Sequence, residues 1–467
     1  MKQKIAFLFV LALLIAVLPA STAIGQGGSS IPSVITMPEK IAEGREVTIT
    51  ISDKPSPDLV DELSLWQEQV DKFQKMYPNV KIEGLELKYD PTAFIAMVAG
   101  NQLPTLFRTY FTEPEKFVSQ SAAGDLTALF EKSGVNKVFN ANVLGIATQN
   151  GKIYGIPDFA YSLGLAYNIE MLKAKGYDAP PQTWDELAEM AVKLTDKANG
   201  IAGFAFINDG SGATGWHYTN IAYGFGAKVE EIIKSNGDGT YTAGFGEGAT
   251  VEALKFVHDL RWKYDVLPGA TLDWASITEA LASGRVAMVI YAGDQFGFMK
   301  TQYPDADISK FGYAATPKGP NGRTALTGGG LWMVASSATE DQKEAAFYFQ
   351  LWRQFDPDEF ESSVITQSKQ GRVIGQPVLP LYVADYQSKI EAFRSQYNVL
   401  PVENYTLFNE AVLNGELNLQ AEPPAAAQDY YSELGVLVGE ILSNKDVDPA
   451  LRLAEVAEEF QSFVLDK

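Results

Sequence analysis

Between Val47 and Phe107 the hydrophobic residues change their period repeatedly, and this limits the fold more than any other feature of the chain. Val47, Ile49 and Ile51 alternate with Thr48 and Thr50, the two-residue period of a strand. Leu63, Trp66, Val70, Phe73 and Tyr77 then recur at steps of three and four, which puts them on one stripe of a helix that Pro78 stops. Residues 80–87 read as a strand, 92–99 as a helix and 105–107 as a short strand. Such a βαβαβ order is best served by a parallel sheet with helices on its faces. A second region of this kind starts after Pro157, where Thr183 and Glu186 form a capping box that opens a helix running to about Asp196. Further helices are predicted over 249–264, 277–282, 340–355 and 448–465, and strands over 286–291 and 331–334. No internal repeat of 20 to 50 residues is present.

Length and composition narrow the function classes. With 467 residues the chain has room for two large lobes or three ordinary domains. It has no Cys, which excludes a disulfide, a thiolate nucleophile, Cys-ligated zinc, an iron–sulfur cluster and a thioether-linked lipid. Two His leave little room for a metalloenzyme, so neither a metal nor a cofactor is expected. A formal charge of -21 repels phosphate backbones and anionic lipid, which argues against nucleic acid and membrane-surface partners.

At the N-terminus Lys2 and Lys4 precede an apolar run over 5–18, then Pro19 and the small residues Ser21, Thr22 and Ala23. This reads as a secretory signal, residues 1–23, cleaved after Ala23. The run falls short of the ~20 residues that cross a bilayer, and an uncleaved anchor is the alternative. Residues 24–44, rich in Gly and Ser at the start, read as a flexible leader. The mature protein is expected in the periplasm or at the cell exterior.

Several motifs then follow in order: Gly151-Lys152-Ile153-Tyr154-Gly155-Ile156-Pro157, Leu165-Ala166-Tyr167-Asn168, and Pro180-Pro181-Gln182-Thr183-Trp184-Asp185-Glu186-Leu187. Farther on stand 281–288, Pro317-Lys318-Gly319-Pro320 and Gly328-Gly329-Gly330-Leu331-Trp332. This set resembles the extracellular solute-binding proteins that serve ABC importers, in their carbohydrate-binding branch (family 1 type). The resemblance implies an α/β, two-lobed periplasmic-binding-protein-like fold, each lobe a mainly parallel sheet flanked by helices, with a ligand cleft between lobes that closes on binding. It divides the chain into a first lobe of 45–158 and about 298–338, and a second of 159–297 and about 339–467. The lipobox Cys of many Gram-positive members is missing, so no Cys-borne lipid anchor is expected. The resemblance also sets Phe159, Ala160 and Tyr161 at the cleft floor, a contact on Asp294 or Gln295, and a late aromatic pair at Tyr430 and Tyr431. Where the family commonly carries an acid near the end of the third strand, Thr109 and Tyr110 stand instead.

The residues can be weighed without the family. Sugars present an apolar C–H face ringed by hydroxyls, so their sites need flat rings for stacking and planar polar groups for paired hydrogen bonds. Trp66, Trp184, Trp262 and Trp352 lie in helical stretches and read as core. Trp216 sits in a polar, Gly-rich stretch that reads as a loop, Trp274 precedes a helix, and Trp332 follows three glycines. These three are the candidate stacking platforms. Gly328 to Gly330 lack a following Gly-Lys-Ser/Thr, so they cradle no phosphate; they let the backbone approach a ligand or the opposite lobe. His217 reads as a loop residue able to donate a hydrogen bond, and His258 lies on a helix face. The candidate ligand-binding set is therefore Tyr110, Tyr161, Trp216, Trp274, Asp294, Gln295, Trp332 and Tyr430.

The leading expectation is a non-enzymatic, monomeric protein that delivers a carbohydrate, an oligosaccharide, to the membrane permease of an ABC importer. A binder of a polyamine or a glycerophosphodiester is the second, kept open by Asp53, Asp294 and Arg108. A secreted glycoside hydrolase is the third, since 58 acids always contain an imaginable pair.

Overall fold

The computed structural model describes residues 29–467, and the expected signal segment lies outside them. β1 (Val47–Ile51), α1 (Val60–Met76), β2 (Val80–Gly84), α2 (Pro91–Ala99) and β3 (Leu106–Tyr110) form the expected βαβαβ run. β1 is parallel to both β2 and β3, and α1 buries Trp66, Val70 and Phe73 from its stripe. Residues before β1 are not a free leader from Ser29 onward. Ile31 and Ile41 are buried, Tyr77 donates to the Pro38 carbonyl at 2.7 Å, and Ser29 and Ser30 donate to Glu361.

β4 (Gly155–Asn168) runs out of this lobe and into the next. α3 (Trp184–Leu194) is capped by Thr183 as the box predicts, and is followed by β5 (Ala202–Ala205), α4 (Gly212–Gly224), α5 (Trp274–Ala282), β6 (Val286–Ala292) and β7 (Phe311–Ala315). The second half of β4 pairs antiparallel with β6 and with β7, while β6 is parallel to β5. β8 (Gly322–Val334) returns alongside β4, antiparallel, from Thr327 opposite Ser162 to Met333 opposite Gly155. Its far end pairs with β3, Val334 facing Leu106. β4 and β8 therefore knit both lobes into one sheet, with parallel and antiparallel neighbours in each lobe. The strand predicted at 331–334 is 13 residues long, taking in the three glycines and residues 322–327 before them.

α6 (Glu340–Phe355) corrects the lobe boundaries. It packs on the first lobe, where the Phe73 ring lies 5.1 Å from Phe349 and 5.6 Å from Trp352. The stripe of α1 needs that cover, so residues just after 339 complete the first lobe and not the second. Residues 311–315 belong to the second lobe, not the first, because β7 pairs with the distal half of β4. β9 (Leu417–Gln420) adds a parallel neighbour to β8, and α7 (Ala427–Ser443) and α8 (Pro449–Phe460) close the second lobe's core. α7 crosses α4 at backbone distance: a Cβ on Gly215 would strike the Tyr431 carbonyl, and one on Gly435 the Ser211 carbonyl.

Candidate functional site

The end of β3, the middle of β4 and the three glycines of β8 meet where the chain passes between lobes. A Cβ on Gly328 would lie 2.8 Å from the Tyr161 hydroxyl, and one on Gly330 would lie 2.7 Å from the Phe159 ring. A Cβ on Gly329 would collide with the Phe111 ring and the Phe159 carbonyl. The glycines thus make room for the site's own rings, where the sequence suggested an approach to ligand or opposite lobe. Gly329→Ala is expected to cost about 1–3 kcal/mol of stability, because a backbone carbonyl cannot rotate aside; a chemical unfolding curve reads it.

Those rings begin a row. Phe159 and Tyr161 of β4 lie 5.3 Å apart, Tyr161 meets Trp216 at 5.7 Å, and Trp216 meets Trp274 at 5.9 Å. Three of the expected residues, Tyr161, Trp216 and Trp274, are brought together here. Trp216 lies in helix α4 and not in a loop: Asp209, two residues before the N-cap Ser211, accepts from the Ser211 and Thr214 hydroxyls, and the helix glycines serve the crossing with α7. Trp274 is the first residue of α5, held by the Asp273–Ser276 capping box. His217, also helical, is fully buried and lies 5.5 Å from Trp274. Burial pushes its imidazole down to about 3, so it stays neutral. Its Nδ1 accepts from the Ile207 N–H at 3.3 Å, which leaves the proton on Nε2, a buried donor with no partner.

Charged groups surround this row. Arg108 donates to Asp158 through Nε at 2.6 Å and Nη2 at 3.3 Å, with its guanidinium 4.6 Å over the Phe159 ring. Asp53, on left-handed backbone at φ 60, accepts from Ser52, and burial raises its carboxyl. Asp294 follows β6 with Gln295 beside it, both half-buried. Burial pushes the Asp294 carboxyl up to about 6, and its Oδ1 has no partner. Tyr110 stands exposed at the end of β3, edge-on to Tyr89 at 5.1 Å.

Two expected residues are packed into the frame. Trp332 is 4% exposed: its indole N–H donates to Asp158 at 3.1 Å and Arg353 lies 5.1 Å over its ring, so it offers no free stacking face. Tyr430, on α7, is fully buried between Phe245 and Phe460 in the second lobe's core. Its neighbour Tyr431 instead points a hydroxyl at Glu422, 3.3 Å away.

Glu422 and Glu113 were not among the expected residues. Glu422 lies just before Pro423-Pro424 in the stretch that leads into α7. Glu113, buried on the first lobe, accepts from Tyr89 at 2.5 Å and Thr112 at 2.9 Å. The lobes touch nearby, Gln428 donating to Thr112 at 3.4 Å and Tyr241 to Glu115 at 3.3 Å. Burial, opposed by hydrogen bonds from Tyr431 and Trp216 and reinforced by Glu113, pushes the Glu422 carboxyl from 4.5 up to about 8. Between those values the folded chain keeps a proton that the unfolded chain has lost. Stability of the unliganded protein is therefore expected to fall as pH rises through this window, by at most about 1.4 kcal/mol per pH unit from this group. Glu422→Gln removes that contribution, and urea midpoints at several pH values measure it.

Residues 56–350 match the family model of the bacterial extracellular solute-binding proteins. A probable ABC transporter-binding protein of Deinococcus radiodurans is 30% identical over 212 residues, 43% of this chain and 47% of the relative. A maltotriose-binding protein of Pyrococcus abyssi is 25% identical over 303 residues, 64% of this chain and 61% of the relative. The chain thus spans about half to three-fifths of the length of these curated relatives. An ABC transporter solute-binding protein of Thermotoga lettingae, bound with α-D-tagatose, shares the fold at a TM-score of 0.69 and 21% identity, over 90% of this chain and 99% of that one. Because the family model covers well over half of the sequence and the two-lobed architecture is shared throughout, the chain belongs to the bacterial extracellular solute-binding proteins.

Proposed function

We propose that this protein is exported, captures a carbohydrate between its lobes, an oligosaccharide by the length of the aromatic row, and delivers it to the permease of an ABC importer. The row Phe159, Tyr161, Trp216 and Trp274 carries the reading: Phe159, Tyr161 and Trp274 are half-buried rings on which the C–H faces of a sugar can stack, and Trp216 is the buried ring that backs Tyr161 and Trp274. His217 Nε2 adds a buried donor for a hydroxyl oxygen. A phosphodiester fits less well, since Arg108 is already engaged by Asp158. The maltotriose-binding relative and the tagatose complex support a sugar by analogy. A thermal-shift screen of oligosaccharides on the mature protein tests the reading: a ligand at 100 times its Kd should add ~2.7 kcal/mol to folding stability. Chromatography of the ligand after long incubation should return it intact, and cleaved product would argue for a hydrolase instead.

A further inference from the structure

Two side-chain contacts join the lobes away from the strands that cross between them. Tyr241 of the second lobe donates its hydroxyl to Glu115 Oε1 at 3.3 Å, and Gln428, at the start of α7, donates to the Thr112 hydroxyl at 3.4 Å. Thr112 gives its own proton to Glu113 at 2.9 Å, which leaves its oxygen free to accept from Gln428.

Tyr241 reaches across from a hairpin of two short antiparallel strands, Ile233–Ser235 and Tyr241–Ala243, with Ser235 opposite Tyr241. Such a hairpin is marginal by itself, and this one is exposed from Lys234 to Thr240. It is nevertheless fixed at its tip, its base and along one strand. At the tip Asp238 accepts from the Thr240 N–H at 3.0 Å and the Thr240 hydroxyl at 2.6 Å. At the base a Cβ on Gly244 would strike the Glu231 carbonyl, so the backbones touch. Gln461 holds the strand that carries the tyrosine: its Oε1 accepts from the Ala243 N–H at 2.8 Å and its Nε2 donates to the Tyr241 carbonyl at 3.2 Å. The side-chain amide thus stands in for the peptide group of a neighbouring strand. Gln461 opens a π-helical turn, Gln461–Leu465, at the end of α8, an irregularity that is rare and often accompanies function. A hairpin free to swing could not present the Tyr241 hydroxyl at a fixed place; one tied to α8 carries the position of the second lobe's core to Glu115.

We propose that this hairpin and the first turn of α7 form a clasp that holds the lobes together whether or not a solute is bound, so that a captured solute leaves only after the clasp opens. The clasp does not depend on the chemistry of the solute, and its test needs none. The chain has no Cys, so spin labels on Ser119→Cys and Lys234→Cys, one on each lobe, are the only thiol adducts. Double electron–electron resonance on the unliganded protein is expected to show a dominant short separation. Tyr241→Phe, which removes only the hydroxyl, should lower the ratio of short to long separations by about two- to tenfold, and Tyr241→Phe with Gln428→Ala by more. Gln461→Ala should reproduce the Tyr241→Phe shift although it touches neither contact between the lobes, while Ser462→Ala on the same turn should leave the distribution unchanged. A dominant long separation in the parent, or a distribution that Tyr241→Phe and the double variant leave unchanged, overturns the clasp. A shift with Tyr241→Phe but not with Gln461→Ala, or an equal shift with Ser462→Ala, overturns the part assigned to Gln461. Each of these outcomes leaves the carbohydrate reading where it stands.

Discussion

Trp332→Ala is expected to lower the unfolding free energy by about 3–5 kcal/mol, the range for an aromatic removed from a packed interior. The residue sits in the middle of the sheet, opposite Arg108 on β3 and Ile156 on β4. Truncation opens a cavity between this sheet and α6. It also takes the indole N–H from Asp158 and the ring from Arg353, whose guanidinium burial already pulls down to about 10. Urea unfolding of the unliganded protein measures the loss as a shift in midpoint at constant slope. A change below 1 kcal/mol would mean that the indole is not part of the packed frame.

Trp274→Ala is expected to show the opposite balance. Its side chain is half-buried, and the capping box that starts α5 is made by Asp273 and Ser276, so the helix survives truncation. What disappears is the last ring of the row, 5.9 Å from Trp216. A buried aromatic anchor of this kind contributes ~2 kcal/mol to binding, roughly thirtyfold in Kd. Calorimetric titration with the best oligosaccharide from the screen reads it directly. An unchanged Kd would place the ligand away from this row.

The contrast between these two tryptophans shows how far the sequence could be read. Periodicity located β1, α1, β2, α2 and α6, since each buries a face whose spacing is local. Trp332 misled because three preceding glycines suggest an open backbone, whereas the space they leave is filled by Tyr161, Phe111 and Phe159 from other strands. Trp216 lies beside Tyr161 and Trp274 for a reason its local sequence does not show: its Gly-rich setting is a helix made thin for α7, a partner more than 200 positions away in the chain, as the Thr219–Tyr430 approach across 211 positions illustrates. Glu422 carried no signal beyond its own side chain. Its raised carboxyl comes from burial, reinforced by the charge of Glu113, and neither is a property of neighbouring residues in the chain.

The cover that α6 and the following helix place on α1 bears on how the chain acquires its structure in time. Gln69 and Glu359 meet at 3.0 Å although 290 positions separate them, and Phe73 waits for Phe349 and Trp352. The N-terminal βαβαβ run therefore cannot bury its helix stripe while it emerges from the ribosome. Closing loops of this size precedes any reward from the contacts they permit, so folding is slow and begins in earnest only when most of the chain is available. A chain that stays unfolded through synthesis can still be threaded across a membrane, which suits the export proposed for this protein.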